Sequence, residues 1–317
     1  MSDKKVIAVV GATGAQGGGL ARAILADRGD EFAARALTRD PSKEAAQALA
    51  SAGAEVVQAD LDDEQALRGA FSGAHGAFCV TNFWEHFSAE KEIAQAGNMA
   101  RAAKAEGLRH VVWSTLEDLR LYVPLDDERI PTLHGKYKVP HFDGKGEADD
   151  LFIQNGVPTT FLLASWYFEN MIFFGQGPAR GEDGKLAFTL PLGDEKMAQI
   201  AAEDIGKCAL GIFKRGDELV GERIGLAGDQ LTGAEMAEAF TRAFGEQVPY
   251  RPLTFDQYRG LGFPGADEMG NMYQFYVEFA DEMNTVRDVA RSRSLNPDLQ
   301  SLEAWLTANA ERIPLGG

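Results

Sequence analysis

Two cysteines in 317 residues, Cys79 and Cys208, leave no disulfide framework to build from. Both sit inside apolar runs, one strand-like and one helical, so both read as buried thiols of a reducing compartment. Long apolar runs are lacking too. No stretch approaches the roughly 18 apolar residues a membrane span needs, and Met1-Ser2-Asp3-Lys4-Lys5 leads straight into a short strand without an apolar signal segment. A cytoplasmic location is expected, with no membrane partner. Basic residues are outnumbered, 31 Lys and Arg against 48 Asp and Glu, and the formal net charge of −17 opposes direct binding to nucleic acid. The histidines show neither metal-ligand spacing nor a pairing with cysteine or carboxylates that repeats a known ligand set, so no metal is expected. Internal repeats and low-complexity tracts are absent.

What is present is a chain 45% hydrophobic and long enough for one large domain or two small ones. From Val6 to Leu163, short β-branched or apolar runs alternate with helical periodicity, the signature of repeated βα units on a buried parallel sheet. Six strands are read: Val6 to Val10, Phe32 to Thr38, Glu55 to Ala59, Ala77 to Thr81, His110 to Ser114 and Thr159 to Leu163. Asp62 followed by Gln65 has the spacing of a capping box, and Ser42 follows Pro41 at the start of an Ala-rich amphipathic run. After Leu163 come an aromatic segment, Ser165 to Phe174, a loop-like stretch from Gly175 to Gly184, and two helical segments, Ala201 to Phe213 and Thr232 to Phe244. Thr232 with Glu235 forms another capping box. The expected fold is α/β, a Rossmann-type doubly wound parallel sheet over residues 1–164, with a smaller C-terminal α/β lobe over 165–317 that interleaves with the sheet and closes over a nicotinamide.

The strongest local motif runs Gly11-Ala12-Thr13-Gly14-Ala15-Gln16-Gly17, between the first strand and an Ala/Leu-rich helix. Gly11 permits the sharp turn, Gly14 lets backbone approach a pyrophosphate, and Gly17 allows tight packing, while the helix N-terminus offers free N–H groups and a positive dipole end. The second strand runs into Thr38-Arg39-Asp40-Pro41. Arg39 suits a 2′-phosphate and the adenine face, with Lys43 a second cation in reach, so NADP(H) is favoured. Asp40 is the alternative, a ribose ligand that would favour NAD. Asp60 reads either as an adenine or backbone contact or as an acid near the start of the next helix.

Further segments carry a resemblance. The glycine loop together with Val80-Thr81-Asn82-Phe83-Trp84-Glu85, His141-Phe142-Asp143-Gly144-Lys145-Gly146-Glu147, Tyr167-Phe168-Glu169-Asn170 and Gly262-Phe263-Pro264-Gly265-Ala266 resembles the NmrA-like proteins, atypical members of the short-chain dehydrogenase/reductase superfamily. The resemblance implies NADP preferred over NAD and a role as a sensor of the NADPH/NADP ratio acting through partner proteins. It implies that Gly11, Thr13, Gly14, Ala15, Gln16 and Gly17 hold the pyrophosphate and that Arg39 and Lys43 hold the 2′-phosphate. It places Thr81, Asn82 and Phe83 at the ribose and nicotinamide, Lys145 on the nicotinamide ribose, and Tyr167, Phe168 and Asn170 over the nicotinamide. The stretch from Tyr122 to Tyr137 departs from the family pattern, with extra acidic and proline residues.

Ordinary members of that superfamily use Tyr-x-x-x-Lys on one helical face, where the ammonium assists the phenol in proton transfer. Here the spacing is His141-x-x-x-Lys145, so the phenolic donor is missing from its usual position. Tyr137 would replace it only if a helix ran back through Pro140, which proline opposes. The candidate catalytic residues are Lys145 and His141, and the Lys145 side chain is expected to face the cofactor and not the core. Ser114 and Thr115 read either as carbonyl-polarising hydroxyls or as groups that satisfy the strand end. Phe83, Trp84, Trp166, Tyr167, Phe168, Phe173 and Phe174 read either as a flat pocket for a quinone or as core. Two functions follow: a redox sensor with a regulatory protein partner, or an NADPH-dependent reductase of a quinone or small conjugated carbonyl. A monomer or homodimer is expected.

Overall fold

The computed structural model describes residues 4–316, which form two compact units. The first comprises residues 4–118, 140–164 and 203–224, and the second 119–139, 165–202 and 225–316.

The first unit opens with β1 (Lys5–Val9), α1 (Ala15–Ala26), β2 (Phe32–Thr38), α2 (Glu44–Ser51), β3 (Glu55–Gln58), α3 (Glu64–Phe71) and β4 (Gly76–Cys79). It continues with α4 (Ala89–Ala105), β5 (His110–Thr115), α5 (Pro140–Gln154) and β6 (Thr159–Leu163). After leaving for β7 (Trp166–Tyr167), α6 (Asn170–Phe173), β8 (Ala179–Arg180), β9 (Leu186–Ala187) and β10 (Lys196–Ile200), the chain returns through α7 (Ala202–Arg215) to β11 (Arg223–Gly225). The second unit ends with β12 (Asp229–Thr232), α8 (Gly233–Phe244), α9 (Phe255–Arg259), α10 (Ala266–Glu278), α11 (Ala280–Val286), α12 (Val289–Leu295) and α13 (Leu302–Asn309).

The seven-stranded sheet has the order β3-β2-β1-β4-β5-β6-β11, and neighbours among its first six strands pair in parallel. This is a Rossmann-type α/β fold, with the strand order reversing between β1 and β4. The run of small and branched residues explains it: Ile7, Ala8 and Val9 of β1 and Val111, Val112 and Trp113 of β5 are buried, as a sheet covered on both faces requires. One core cluster packs Leu67, Phe71, Met99, Trp113 and Phe152 against β1, β4 and β5. All six strands expected from the sequence are found, two with the expected bounds and four with one or both ends shifted by one or two residues, and β11 is an addition.

One local expectation needs correction. The cap of α3 is Asp63, whose carboxylate accepts from the Gln65 and Ala66 N–H groups, while Asp62 instead accepts from the Gln95 amide at 2.9 Å and pairs with Lys91. Ser42 precedes α2, and its N–H and hydroxyl both bond Asp40 Oδ1. The Thr232–Glu235 capping box forms as read.

In the second unit, β12, β10 and β7 make a small sheet, and the Gly175 to Gly184 stretch contributes β8 to a two-stranded hairpin with β9. The unusual stretch between Tyr122 and Tyr137 is organised by a buried ammonium. Lys138 Nζ donates to the carbonyls of Asp127 (2.7 Å) and Ile130 (2.8 Å) and to Thr132 Oγ1 (3.0 Å). Asn271 Nδ2 then donates to the Pro131 and Lys138 carbonyls, tying the stretch to α10.

Candidate functional site

The glycine loop leaves β1 at the point where the strand order reverses. Gly11 has φ +64°, open to glycine at little cost, and a Cβ there would also crowd Val80. Gly14 sets the start of α1 without a side-chain cap, in contrast to α3, α4 and α8, whose first N–H groups are held by Asp63, Ser88 and Thr232. The end of α1 is thus a set of forward-facing donors with no side chain closing them, and Gly11, Thr13, Gly14 and Ala15 are exposed while Gln16 is half-buried. Gly17 works as the sequence suggests: a Cβ would lie 2.5 Å from the carbonyl oxygens of both Val10 and Gly11. One further contact escaped the sequence. A Cβ at Gly206 of α7 would meet the Leu20 nitrogen at 2.1 Å, and one at Gly19 would meet the Glu203 carbonyl oxygen at 2.7 Å, so paired glycines let α7 and α1 touch backbone to backbone.

Arg39 follows β2 and is exposed, but its guanidinium is engaged: Nη2 bonds Glu85 Oε1 at 2.8 Å. Lys43 is exposed at the start of α2. Asp40 is committed to its own turn, and the Ser42 hydrogen bonds hold its carboxyl below the usual carboxylate range. Asp60 is likewise local, with Oδ1 accepting from the Asp62 N–H at 2.9 Å.

Lys145 is brought to the carboxyl end of β4 by the two glycines beside it. A Cβ at Gly144 would meet Ala89 Cβ of α4 at 2.9 Å, and one at Gly146 would meet the Asp118 nitrogen at 2.5 Å, so α5 packs tightly on both sides of the lysine. Its ammonium donates to Thr81 Oγ1 (2.7 Å) and to the Thr81 carbonyl (3.1 Å), and lies 5.3 Å from the centre of the Trp113 ring. The third partner was not foreseen. Glu92, on the first turn of α4, is 1% exposed, and its Oε1 sits 3.3 Å from Lys145 Nζ. Among the described residues neither Glu92 oxygen accepts a hydrogen bond, so the ion pair is its direct polar support. The ammonium thus neutralises a buried carboxylate at the carboxyl end of β4.

His141 is buried among aromatic rings, 4.9 Å from Trp84, 5.7 Å from Phe83 and 4.8 Å from Phe142, centre to centre. Phe83 is buried and Asn82 exposed; Trp84 and Phe87 are partly open and edge-on to each other and to Phe83. The helix begins at Pro140, so Tyr137, which pairs with Leu133 in a turn of the second unit, does not share its face. Thr115 settles on the structural reading: its hydroxyl donates to Asp149 Oδ1 at 2.6 Å, which also accepts from Trp113 Nε1 at 2.8 Å. Ser114 is buried.

Tyr167, Phe168 and Asn170 belong to the second unit. Tyr167 pairs with Ile200 in the small sheet, Asn170 begins α6, and Phe168 is fully buried against Trp305, so that ring is core. Between them Glu169 accepts from the Ala202 N–H and from Trp305 Nε1. Trp166 is also core, while Phe173 and Phe174 are exposed. Among the described residues, no three His, Cys, Asp or Glu side chains gather as a metal site, and no helix is long and apolar enough to cross a membrane.

An open parallel sheet whose central strand feeds a glycine loop and an uncapped helix defines a protein of the Rossmann dinucleotide-binding class. Within that class the chain belongs to the NmrA-like family, whose model matches residues 3–306. It is 29% identical over 291 residues to the NmrA-like family domain-containing oxidoreductase FrzB of Cladobotryum sp, covering 85% of this chain and 83% of that one. It is also 29% identical over 276 residues to an NAD(P)H azoreductase of Xenophilus azovorans, covering 84% and 86%. Among solved structures, NmrA, a negative transcriptional regulator, in complex with NADP, aligns with a TM-score of 0.77 at 25% identity over 96% of this chain and 95% of that one.

Proposed function

We propose that this chain binds NADP(H) across the carboxyl ends of β2, β1 and β4 and acts in the cytoplasm as an oxidoreductase on planar conjugated acceptors, such as quinones or small conjugated carbonyl compounds. The carrying observation is the contrast between an intact dinucleotide cradle and a dismantled proton-donor centre. Gly11, Thr13, Gly14, Ala15, Gln16 and Gly17 would hold the pyrophosphate, Arg39 and Lys43 the 2′-phosphate, and Asn82 and Phe83, just past β4, the ribose end. The dinucleotide supplies a hydride when bound. His141 is packed among rings, Thr115 is held by Asp149, and Lys145 is tied to Thr81 and Glu92, so these three are committed within the protein and not set to protonate a developing alkoxide. An acceptor whose reduced form is a stabilised anion needs no such acid, and the partly open rings of Trp84 and Phe87 offer it a flat apolar face. The similarity to oxidoreductase and azoreductase relatives supports this reading.

A second reading is a redox sensor that reports the NADPH/NADP ratio to a protein partner. It is favoured by the Arg39–Glu85 ion pair, which a 2′-phosphate would disturb, and by the similarity to the regulator NmrA.

The test follows NADPH absorbance across quinones, azo dyes, conjugated enones and simple aldehydes and ketones. Conjugated acceptors are expected to turn over and simple carbonyls to stay at background, with Trp84→Ala raising KM for the conjugated acceptor. Simple aldehydes reduced near the enzyme median of about 10 per second would overturn the reading. Binding of NADPH with no turnover on any acceptor would favour the sensor.

A further inference from the structure

Arg39 and Glu85 stand on opposite sides of the strand that feeds the glycine loop. Arg39 lies one residue past β2, Glu85 ends the single turn Phe83–Glu85 that follows β4, and β1 runs between β2 and β4 in the sheet. Their ion pair therefore spans the carboxyl end of β1, the position where a dinucleotide is held at the switch point of such a sheet. The guanidinium side chain is 62% exposed and the carboxylate 45%, so the pair is solvated and weak enough to exchange. A 2′-phosphate carries more negative charge than a carboxylate and takes the planar guanidinium in two parallel hydrogen bonds. It would also repel Glu85. A dinucleotide that carries this phosphate must take Arg39 from Glu85, whereas one that lacks it has no such demand.

Glu85 is not an isolated surface acid. Its turn is closed by the Phe87 N–H on the Phe83 carbonyl at 2.7 Å, and Phe87 is a bulky residue held at φ +53°, a conformation that side chains other than glycine rarely adopt. Its rings pack edge-on, and Trp84 leans on His141. The ion pair to Arg39 adds a side-chain tie to the backbone hydrogen bonds of this turn.

We infer that Glu85 is the internal competitor of the 2′-phosphate: it sets the discrimination between NADP(H) and NAD(H), and its release passes the presence of that phosphate to the Phe83–Phe87 turn. This deepens the NADP(H) reading above and rests on it. Discrimination is then set by the difference between two anions for one guanidinium, and the same exchange gives the sensor reading a moving part.

Calorimetry with NADPH and NADH on the full chain, its Glu85→Gln variant and its Arg39→Ala variant tests this, with amide exchange over residues 83–88. Removing the competitor should tighten NADPH about 3- to 10-fold and leave NADH within about 2-fold. In the unsubstituted chain, exchange at 83–88 should respond to NADPH and much less to NADH; in Glu85→Gln it should be faster from the outset. Unchanged or weakened NADPH affinity in Glu85→Gln, with Arg39→Ala still costing about tenfold or more, removes the competitor role and leaves the phosphate reading standing. An Arg39→Ala variant that binds NADPH normally overturns both. Equal exchange responses to the two dinucleotides would overturn the transmission to the turn.

Discussion

Replacing Lys145 with methionine keeps the length of the stem and removes the charge, which strands Glu92. The structure gives the size of the effect. At 3.3 Å the pair's gross attraction is about 5 kcal/mol for an effective dielectric near 20, and part of it offsets the desolvation of two groups only 11% and 1% exposed. What the variant loses is set by the unpaired carboxylate, typically about 3–5 kcal/mol for a broken buried pair. The expected loss is thus about 3–5 kcal/mol. Urea unfolding of the apo protein measures it. The double variant Lys145→Met with Glu92→Gln should recover more than half of the loss, as a coupled pair requires. A Lys145→Met variant that loses less than about 1 kcal/mol, with a loss additive to that of Glu92→Gln, would refute the pairing.

Gly206→Ala should destabilise the first unit by about 1–3 kcal/mol and weaken NADPH binding, since its Cβ would meet the Leu20 backbone and push the start of α1; unfolding curves and calorimetry check both effects. Thr115→Val should cost about 1–3 kcal/mol of stability, leaving Asp149 without its hydroxyl donor, while kcat on a conjugated acceptor stays near that of the unsubstituted chain. His110 is buried, with Nε2 2.8 Å from the Thr160 hydroxyl, and burial pushes its imidazole from 6.5 down to about 4. A histidine depressed in the folded state binds fewer protons there than when unfolded, so stability should fall as pH drops from about 6.5 towards 4, and His110→Asn should flatten that limb of a stability–pH curve.

The parts of the site that are local in the chain are legible in the sequence. Gly11, Gly14 and Gly17 have their roles written in one strand–loop–helix segment, and the structure gives φ +64° at Gly11 and backbone contact at Gly17 without surprise. Alternating apolar runs locate six strands for the same reason. The seventh, β11, is three residues long, too short for a period of two to show, and it pairs with a strand some sixty residues earlier. The cap of α3 failed by one residue because Asp62 and Asp63 are adjacent acids and only backbone geometry chooses between them. Glu92 was out of reach: in sequence it is one acid in a first helical turn, which a helix dipole explains well enough, and nothing local links it to a lysine 53 positions away. Glu85 was visible within its motif, yet its meaning depends on β2 and β4 flanking β1, a strand order that periodicity does not carry.

A structure of this chain with NADPH bound tests the central claim most directly. The pyrophosphate is expected on the N–H groups from Thr13 to Gly17, the 2′-phosphate within hydrogen-bond distance of Arg39, and Glu85 no longer on that guanidinium. A dinucleotide held elsewhere, or one seated on the glycine loop with its 2′-phosphate turned away from Arg39 and the Arg39–Glu85 pair intact, would contradict it.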